Sequence, residues 1–239
     1  MTVQLIPSMD LMDGRVVRLR KGDRAQATFY DLAPEVWVER LVAAGATRIH
    51  LVDLDGAFDG ESQSVFGAYP KRFPSVRFQL GGGLRDRDRI QAVLDAGFEA
   101  VVGTLAVERP RDLAGLPASR VIVALDLRGQ RVMSRGWVAE SACESTDVFE
   151  SLLTLGFNRA LVTDIDRDGT LEGSGVEAAA WVASEGFEVQ ASGGLKDLAD
   201  LDALTAIPGV TGAISGKALL DGRLDLDDAA VRAALTGGR

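Results

Sequence analysis

The chain has 239 residues, 46% of them hydrophobic and 26% charged, with 27 Gly, seven Pro, one Cys and one His. That length suits one large domain, and the composition excludes a disordered or fibrous chain. The net charge of −9 excludes a binder of nucleic-acid backbones, yet leaves small anions open, because backbone N–H groups at a helix N-terminus hold phosphate whatever the total charge. No apolar run reaches the roughly 20 residues that span a bilayer. The opening MTVQLIPSMDLMDG lacks the basic start of a secretion signal, so a cytoplasmic protein with no membrane partner is expected. The lone Cys143 excludes an internal disulfide and a Cys-based zinc site, and finds no partner in its loop. The lone His50 lies in an apolar strand run and reads as a packing residue, so carboxylates are expected to move any protons.

In chain order, strands are expected at Gln4–Met9, Arg48–Leu54, Ser75–Leu80, Ala100–Gly103, Arg120–Leu125, Arg159–Thr163, Phe187–Ala191 and Thr211–Ser215. Helical patterns lie between them. Pro34 looks like a first-turn proline, with Val36, Val38, Leu41 and Val42 behind it. Ile90, Val93 and Leu94 sit at i, i+3, i+4, and Gly97 suits the stop that follows. Strands alternating with helices predict a parallel sheet, and eight such units in this length predict a single closed (βα)8 barrel spanning residues 1–239.

The chain also repeats itself. Gln79-Leu-Gly-Gly-Gly-Leu-Arg-Asp86 resembles Gln190-Ala-Ser-Gly-Gly-Leu-Lys-Asp197 at an offset of 111 residues. Val102-Gly-Thr-Leu-Ala106 resembles Ile214-Ser-Gly-Lys-Ala218, and His50–Gly56 parallels Ala160–Asp166 more loosely. Two half-barrels, residues 1–118 and 119–239, are therefore expected, with two similar binding turns facing each other across the mouth.

Each half carries a pair of Gly-containing turns after its third and fourth strands. Gly82, Gly83, Gly103 and Thr104 form one set; Gly193, Gly194, Gly216 and Lys217 form the other. Such turns let backbone N–H groups approach an anion, and they equally provide the positive φ of a tight βα turn. Two matching sets point to a substrate with two phosphates. Asp10 and Asp126 are expected to end strands at the mouth, and Asp164, Asp166 and Asp168 crowd the loop after strand six. Asp on opposite sides of a mouth can act as general base and general acid. Asp164 and Asp166 read as capping or structural residues, and Asp168, beside Gly169, as the functional one.

Taken together, Ile6-Pro-Ser-Met-Asp-Leu-Met-Asp-Gly-Arg-Val-Val-Arg-Leu19, His50–Gly56, Gly81–Arg85, Val102-Gly-Thr104, Arg135-Gly-Trp137, Thr163–Leu171, Ser192-Gly-Gly194 and Gly216-Lys-Ala-Leu219 resemble, in order, the barrel isomerases of histidine biosynthesis that act on ProFAR, phosphoribosylformimino-aminoimidazole carboxamide ribotide. The resemblance implies an Amadori rearrangement of an aminoaldose to an aminoketose, with no metal and no organic cofactor. It implies Asp10 as the base at the sugar C2, Asp168 as the acid that opens the ribose ring, and Thr163 in support. Arg18 and Arg135 are expected on phosphate or carboxamide, Trp137 on the imidazole, and Asp126 on the ribose hydroxyls. A monomer acting on a bisphosphorylated small molecule is expected.

Four other readings are weighed. A sister cyclase of the same pathway should carry Cys, Asn and Ser where this chain has Met9, the Gly103-Thr104 turn and Asp164. A dual-specificity isomerase also accepting phosphoribosylanthranilate shares the acid and base, but carries Ser at the position of Gly81. A flavin-binding barrel oxidoreductase leaves the turns after strands three and four unexplained. A non-catalytic phosphosugar-binding barrel is excluded only by turnover.

Overall fold

A computed structural model describes residues 2–20, 22–60, 64–137, 139–171 and 173–237; the side chains of residues 64 and 65 are not described. Twelve strands occur among these residues: β1 Gln4–Met12, β2 Arg15–Arg20, β3 Asp23–Phe29, β4 Arg48–Asp53, β5 Arg77–Gly81, β6 Glu99–Val102, β7 Val121–Arg128, β8 Arg131–Ser134, β9 Ala139–Glu140, β10 Arg159–Asp164, β11 Glu188–Ser192 and β12 Val210–Ser215. Eight of them, β1, β4, β5, β6, β7, β10, β11 and β12, pair in parallel in that order, and β12 pairs with β1 to close the barrel. These are the eight strands that the sequence pattern predicts.

The remaining four strands escaped the sequence reading. β2 and β3 form a hairpin that pairs antiparallel with the end of β1, and β8 and β9 do the same on β7. Asp10 and Asp126 are therefore not strand ends. β1 runs on to Met12 and β7 to Arg128, each extended by its hairpin. The strand pattern in these segments is interrupted by charges, although β2 buries Val16, Val17 and Leu19 and β8 buries Val132 and Met133. β3 is exposed along most of its length.

Among the described residues ten α-helices lie between and after the strands: α1 Pro34–Ala43, α2 Leu54–Phe58, α3 Tyr69–Arg72, α4 Arg87–Asp95, α5 Thr104–Glu108, α6 Ser145–Thr154, α7 Val176–Ser184, α8 Leu198–Thr205, α9 Lys217–Leu220 and α10 Ala229–Leu235. Pro34 occupies the first turn of α1, where its missing N–H costs nothing, and Trp37, Val38 and Leu41 form the buried stripe. Asp86 and Asp197 cap α4 and α8 by accepting from backbone N–H groups one turn in. Most apolar burial lies between the strands and this helical layer.

The barrel interior is layered. Alternate residues of each strand point inward. Ile6, Val101, Ile122, Leu161 and Ile214, from five strands, form a compact apolar plug across the middle. Each such buried side chain contributes about 1.5–3 kcal/mol. Below the plug the inward residues are polar, including Gln4, Arg48, Gln79 and Gln190, all buried. Above it they are Ser8, His50 and Thr163, and this upper layer floors the candidate site.

Candidate active site

A cavity of about 750 Å³ opens at the C-terminal end of the strands. At that end the loops after each strand converge, so side chains distant in sequence meet there. Asp10, Arg18, Asp126, Arg135, Trp137, Thr163 and Asp168 all line it, with Gly82, Gly83, Gly103 and Thr104 at one side. Gly193, Gly194, Gly216 and Lys217 line an adjoining recess that shares Arg18 and Asp168. The structure thus brings together every residue that the sequence nominated.

Asp10 and Asp168 meet through one guanidinium. Arg18, carried on the β2 arm of the first hairpin, donates from Nη1 to Asp10 Oδ2 at 2.8 Å, and its Nη2 lies 3.8 Å from Asp168 Oδ1. The hairpin folds back on β1 so that Val17 pairs with Asp10 and Arg18 hangs over the mouth. Burial pushes the Asp10 carboxyl up to about 6, against the opposing pull of Arg18 and with a further push from Asp168. Burial likewise raises Asp168, and Arg18 opposes it. Asp10 Oδ1 is buried and has no hydrogen-bond partner among the described residues.

Asp126 sits across the mouth on β7, in register with Thr163 on β10. Burial raises its carboxyl, while hydrogen bonds from the Thr163 hydroxyl and the Trp137 indole N–H lower it. Thr163 thus holds Asp126. Trp137 belongs to a run in which Arg135, Gly136 and Trp137 all have positive φ, between 54° and 71°. This backbone turns the indole inward. The ring lies against the turn of the first hairpin: a Cβ on Gly22 would come within 2.6 Å of it. The two hairpins therefore touch over the cavity. Arg135 is exposed and its side chain is drawn away from the cavity centre by Glu108, 2.8 Å from its Nε. Its backbone N–H donates to Thr104 Oγ1 at 3.0 Å.

The glycine-rich turns owe their composition first to packing. An added Cβ would lie 2.1 Å from the Asp53 carbonyl oxygen at Gly82, 2.5 Å from that of Gly56 at Gly83, 2.6 Å from that of Asp164 at Gly193 and 2.1 Å from that of Gly173 at Gly194. All four have positive φ. In each half the turn is crossed at close range by the loop after the preceding barrel strand, so the tight-turn explanation holds for these four glycines. Gly216 differs. Its Cβ would meet Ser8 Oγ at 2.6 Å and Arg18 Nη1 at 2.7 Å, so there the missing side chain leaves room beside polar groups of the site. The Lys217 ammonium is paired with Asp221 and is directed along its own short helix.

Asp164 and Asp166 stay out of the cavity. Asp164 pairs with Arg167 at 3.2 Å, and the exposed Asp166 lies 3.7 Å from Arg128. His50 is buried on the cavity floor, and burial together with the Arg18 charge pushes it down to about 4, so it is neutral near pH 7. Its Nδ1 has no hydrogen-bond partner among the described residues, so it is not the fully satisfied packing residue expected. Cys143 is exposed and free. Ser8 was missed. It accepts weakly from Arg18 Nη1 at 3.4 Å, and its place two residues before Asp10, on the same face of β1, was the available signal. Glu108, which fixes Arg135, carried no signal, because its proximity arises only from the second hairpin.

The sequence pattern of a family described as "Histidine biosynthesis protein" matches residues 4–225. Among relatives, a protein of Cyanothece sp. (strain PCC 7425) is 41% identical over 236 residues, which cover 95% of this chain and 91% of the relative. One from Symbiobacterium thermophilum is 41% identical, covering 96% of each chain. One from Thermomicrobium roseum is 40% identical over 227 residues, covering 92% of this chain and 93% of the relative. All three are named 1-(5-phosphoribosyl)-5-((5-phosphoribosylamino)methylideneamino)imidazole-4-carboxamide isomerase.

Proposed function

The chain belongs to the histidine biosynthesis protein family, and from that premise we propose that it is the isomerase that converts the ProFAR aminoaldose into its aminoketose. The observation that carries the reading is the Asp10–Arg18–Asp168 bridge on the wall of a mouth cavity flanked by two glycine-rich turns. An Amadori rearrangement needs one proton delivered to the ribose ring oxygen and one removed from the neighbouring carbon. Asp168, raised by burial, retains a proton to higher pH and suits the acid that opens the ring. The electron pair of the broken C–O bond stays on the oxygen, and the nitrogen lone pair forms the C=N bond. Asp10 then removes the C2 proton, and the resulting enolamine tautomerises to the aminoketose. Protons and electrons balance without an external oxidant or reductant. A base near 6 is ionised at neutral pH while still strong enough to accept a proton, the range in which general-base catalysis is efficient.

The remaining residues are assigned supporting work. Asp126, held by Thr163 and Trp137, orients the ribose hydroxyls, and Trp137 offers a face for the imidazole. One phosphate is assigned to Gly82, Gly83, Gly103 and Thr104, and the other to Gly193, Gly194, Gly216 and Lys217. Anchoring both ends places the reacting sugar between the carboxylates, converting remote binding energy into orientation. The two sets of turns form the mouth of a single domain that we read as two half-barrels. The proposal places the protein in the cytoplasm, working as a monomer on a free small molecule. The test is a spectrophotometric assay of the purified protein with the ProFAR aminoaldose: turnover is expected, and its absence from a folded preparation would sink the reading.

A further inference from the structure

At the opposite end of the barrel, beneath the apolar plug, lies a second cavity of about 310 Å³. Its walls are the first inward residues of the strands, capped at the rim by Thr2 and by Thr236 after α10. Three guanidiniums face it, from Arg48 on β4, Arg77 on β5 and Arg159 on β10. In a chain of net charge −9 this is a local excess of positive charge. Among the described residues Glu99 is the carboxylate within ion-pair reach of these arginines, and it is already engaged. It lies 2.7 Å from Arg159 Nη2, and its other oxygen accepts from Gln79 Nε2 at 3.4 Å. Arg48 is buried and reaches Glu99 only at 4.0 Å, and its Nε has no hydrogen-bond partner among the described residues. Arg77 makes no ion pair among the described residues. Glu188 at the rim is exposed and lies beyond 4 Å of all three.

We propose that this lower cavity is an anion site, built to take a phosphate dianion, free or as the end of a small phosphate ester. The arrangement of donors selects that chemistry. The Arg48, Arg77 and Arg159 guanidiniums come from β4, β5 and β10, so they approach the cavity from different sides. Arg159 is already held by Glu99 and the Ser119 carbonyl, and the Thr211 hydroxyl already donates to the Val189 carbonyl, which leaves Arg48 and Arg77 as the under-paired charges. A tetrahedral oxyanion offers an acceptor in each direction, whereas a planar carboxylate satisfies donors in one plane. Burial and the neighbouring charges of Arg77 and Arg159 push the Arg48 guanidinium down to about 10, the direction expected where positive charge is crowded with too little counter-charge. A dianion here relieves that crowding. The site is separated from the mouth by the plug of Ile6, Val101, Ile122, Leu161 and Ile214, so it is a distinct locus from the two turns assigned to substrate.

The test is a titration of the isotope-labelled full chain, followed by backbone amide shifts, with inorganic phosphate, glycerol phosphate and acetate in separate arms. Thr47, Thr211 and Thr236 report on the lower cavity; Gly103 and Gly216 report on the mouth. Saturable shifts of the lower set in the millimolar range are expected with one or both phosphates, and the two arms tell free ion from ester. Arg77→Gln is at the exposed rim and removes one unpaired charge. It should weaken lower-set binding about tenfold, the loss of one charge-assisted contact, with mouth-set shifts and turnover unchanged. Arg48→Gln should weaken it further. Lower-set shifts that are absent, that are equal with acetate, or that survive both substitutions unchanged would overturn the proposal. Because the lower set is read apart from the mouth set and from turnover, its failure is distinguishable from failure of the isomerase reading.

Discussion

At pH 7 Asp10 is ionised in a buried place, and the protein bears a cost for it. Its folded-state value lies above the ordinary carboxylate value of 3.8, at about 6. A raised value means the folded state binds the proton more tightly than the unfolded chain. The associated stabilisation is therefore complete below about pH 4 and is lost as pH rises through about 6. Asp10→Asn removes the buried charge and should stabilise the fold at pH 7 by on the order of 1–3 kcal/mol, measured by denaturant unfolding at pH 7 and again at pH 4, where the difference should vanish. The same substitution removes the proposed base, and kcat should fall by about 10² to 10⁴. Asp168→Asn should lose a comparable factor. A near wild-type kcat in either folded variant would refute its assignment. In the wild type, kcat/KM should decline below about pH 6 as Asp10 takes up a proton. A flat profile between pH 5 and 8 would show that Asp10 is not the group that must be ionised.

At the scale of elements, the two hairpins and the glycine turns shape the mouth. Gly82→Ala combines φ +102° with a Cβ 2.1 Å from a backbone oxygen, so a whole βα loop must move. Gly129→Ala, at φ +58° with nothing within 4 Å, meets only the conformational penalty. Unfolding should show Gly82→Ala destabilised by more than about 3 kcal/mol and Gly129→Ala by about 1 kcal/mol. Equal costs would show that the close crossing relaxes easily. Trp137 ties Asp126 to the first hairpin, since its N–H reaches the carboxylate and its ring lies against Gly22. Trp137→Phe keeps an aromatic ring but removes the N–H. It should raise the Asp126 pKa and alter the pH profile of KM more than kcat.

For the whole molecule, the pairing of turns across the mouth predicts two bound anions there. Crystals grown from sulfate or phosphate should show one beside Gly82, Gly83, Gly103 and Thr104 and another beside Gly193, Gly194 and Gly216, and density for neither would count against a two-phosphate substrate. Substrate choice belongs to this scale too, because in the proposed mode both ends of the ligand are held at once. The one-phosphate substrate phosphoribosylanthranilate cannot use the second set of turns, so kcat/KM for the ProFAR aminoaldose should be the larger. Gly81 bears on this. It lies at the end of β5 without positive φ, and an added Cβ would approach Val101 no closer than 3.4 Å, so Ser fits there. Gly81→Ser should therefore fold normally and change the ratio of the two activities only several-fold, since one neutral hydrogen bond is worth roughly 1 kcal/mol.

The sequence by itself determined the alternation of strands and helices, and through it the barrel. That signal is local: apolar runs, caps such as Asp86 and Asp197, and Pro34 at a first turn all act within a few residues. It also determined the chemistry on offer, since Asp10, Asp168 and the repeated turns stand in the order the family motifs require. Tertiary structure alone decided which of these groups meet. Arg18 joins Asp10 to Asp168 only because a hairpin invisible to strand periodicity folds back over β1. Thr163 supports Asp126 because β10 pairs with β7, which brings together two residues far apart in the chain. The need for glycine at Gly82 and Gly194 is set by a crossing loop from elsewhere in the chain. Burial then raises both carboxylates, and burial is a property of the closed barrel that no local stretch of sequence contains.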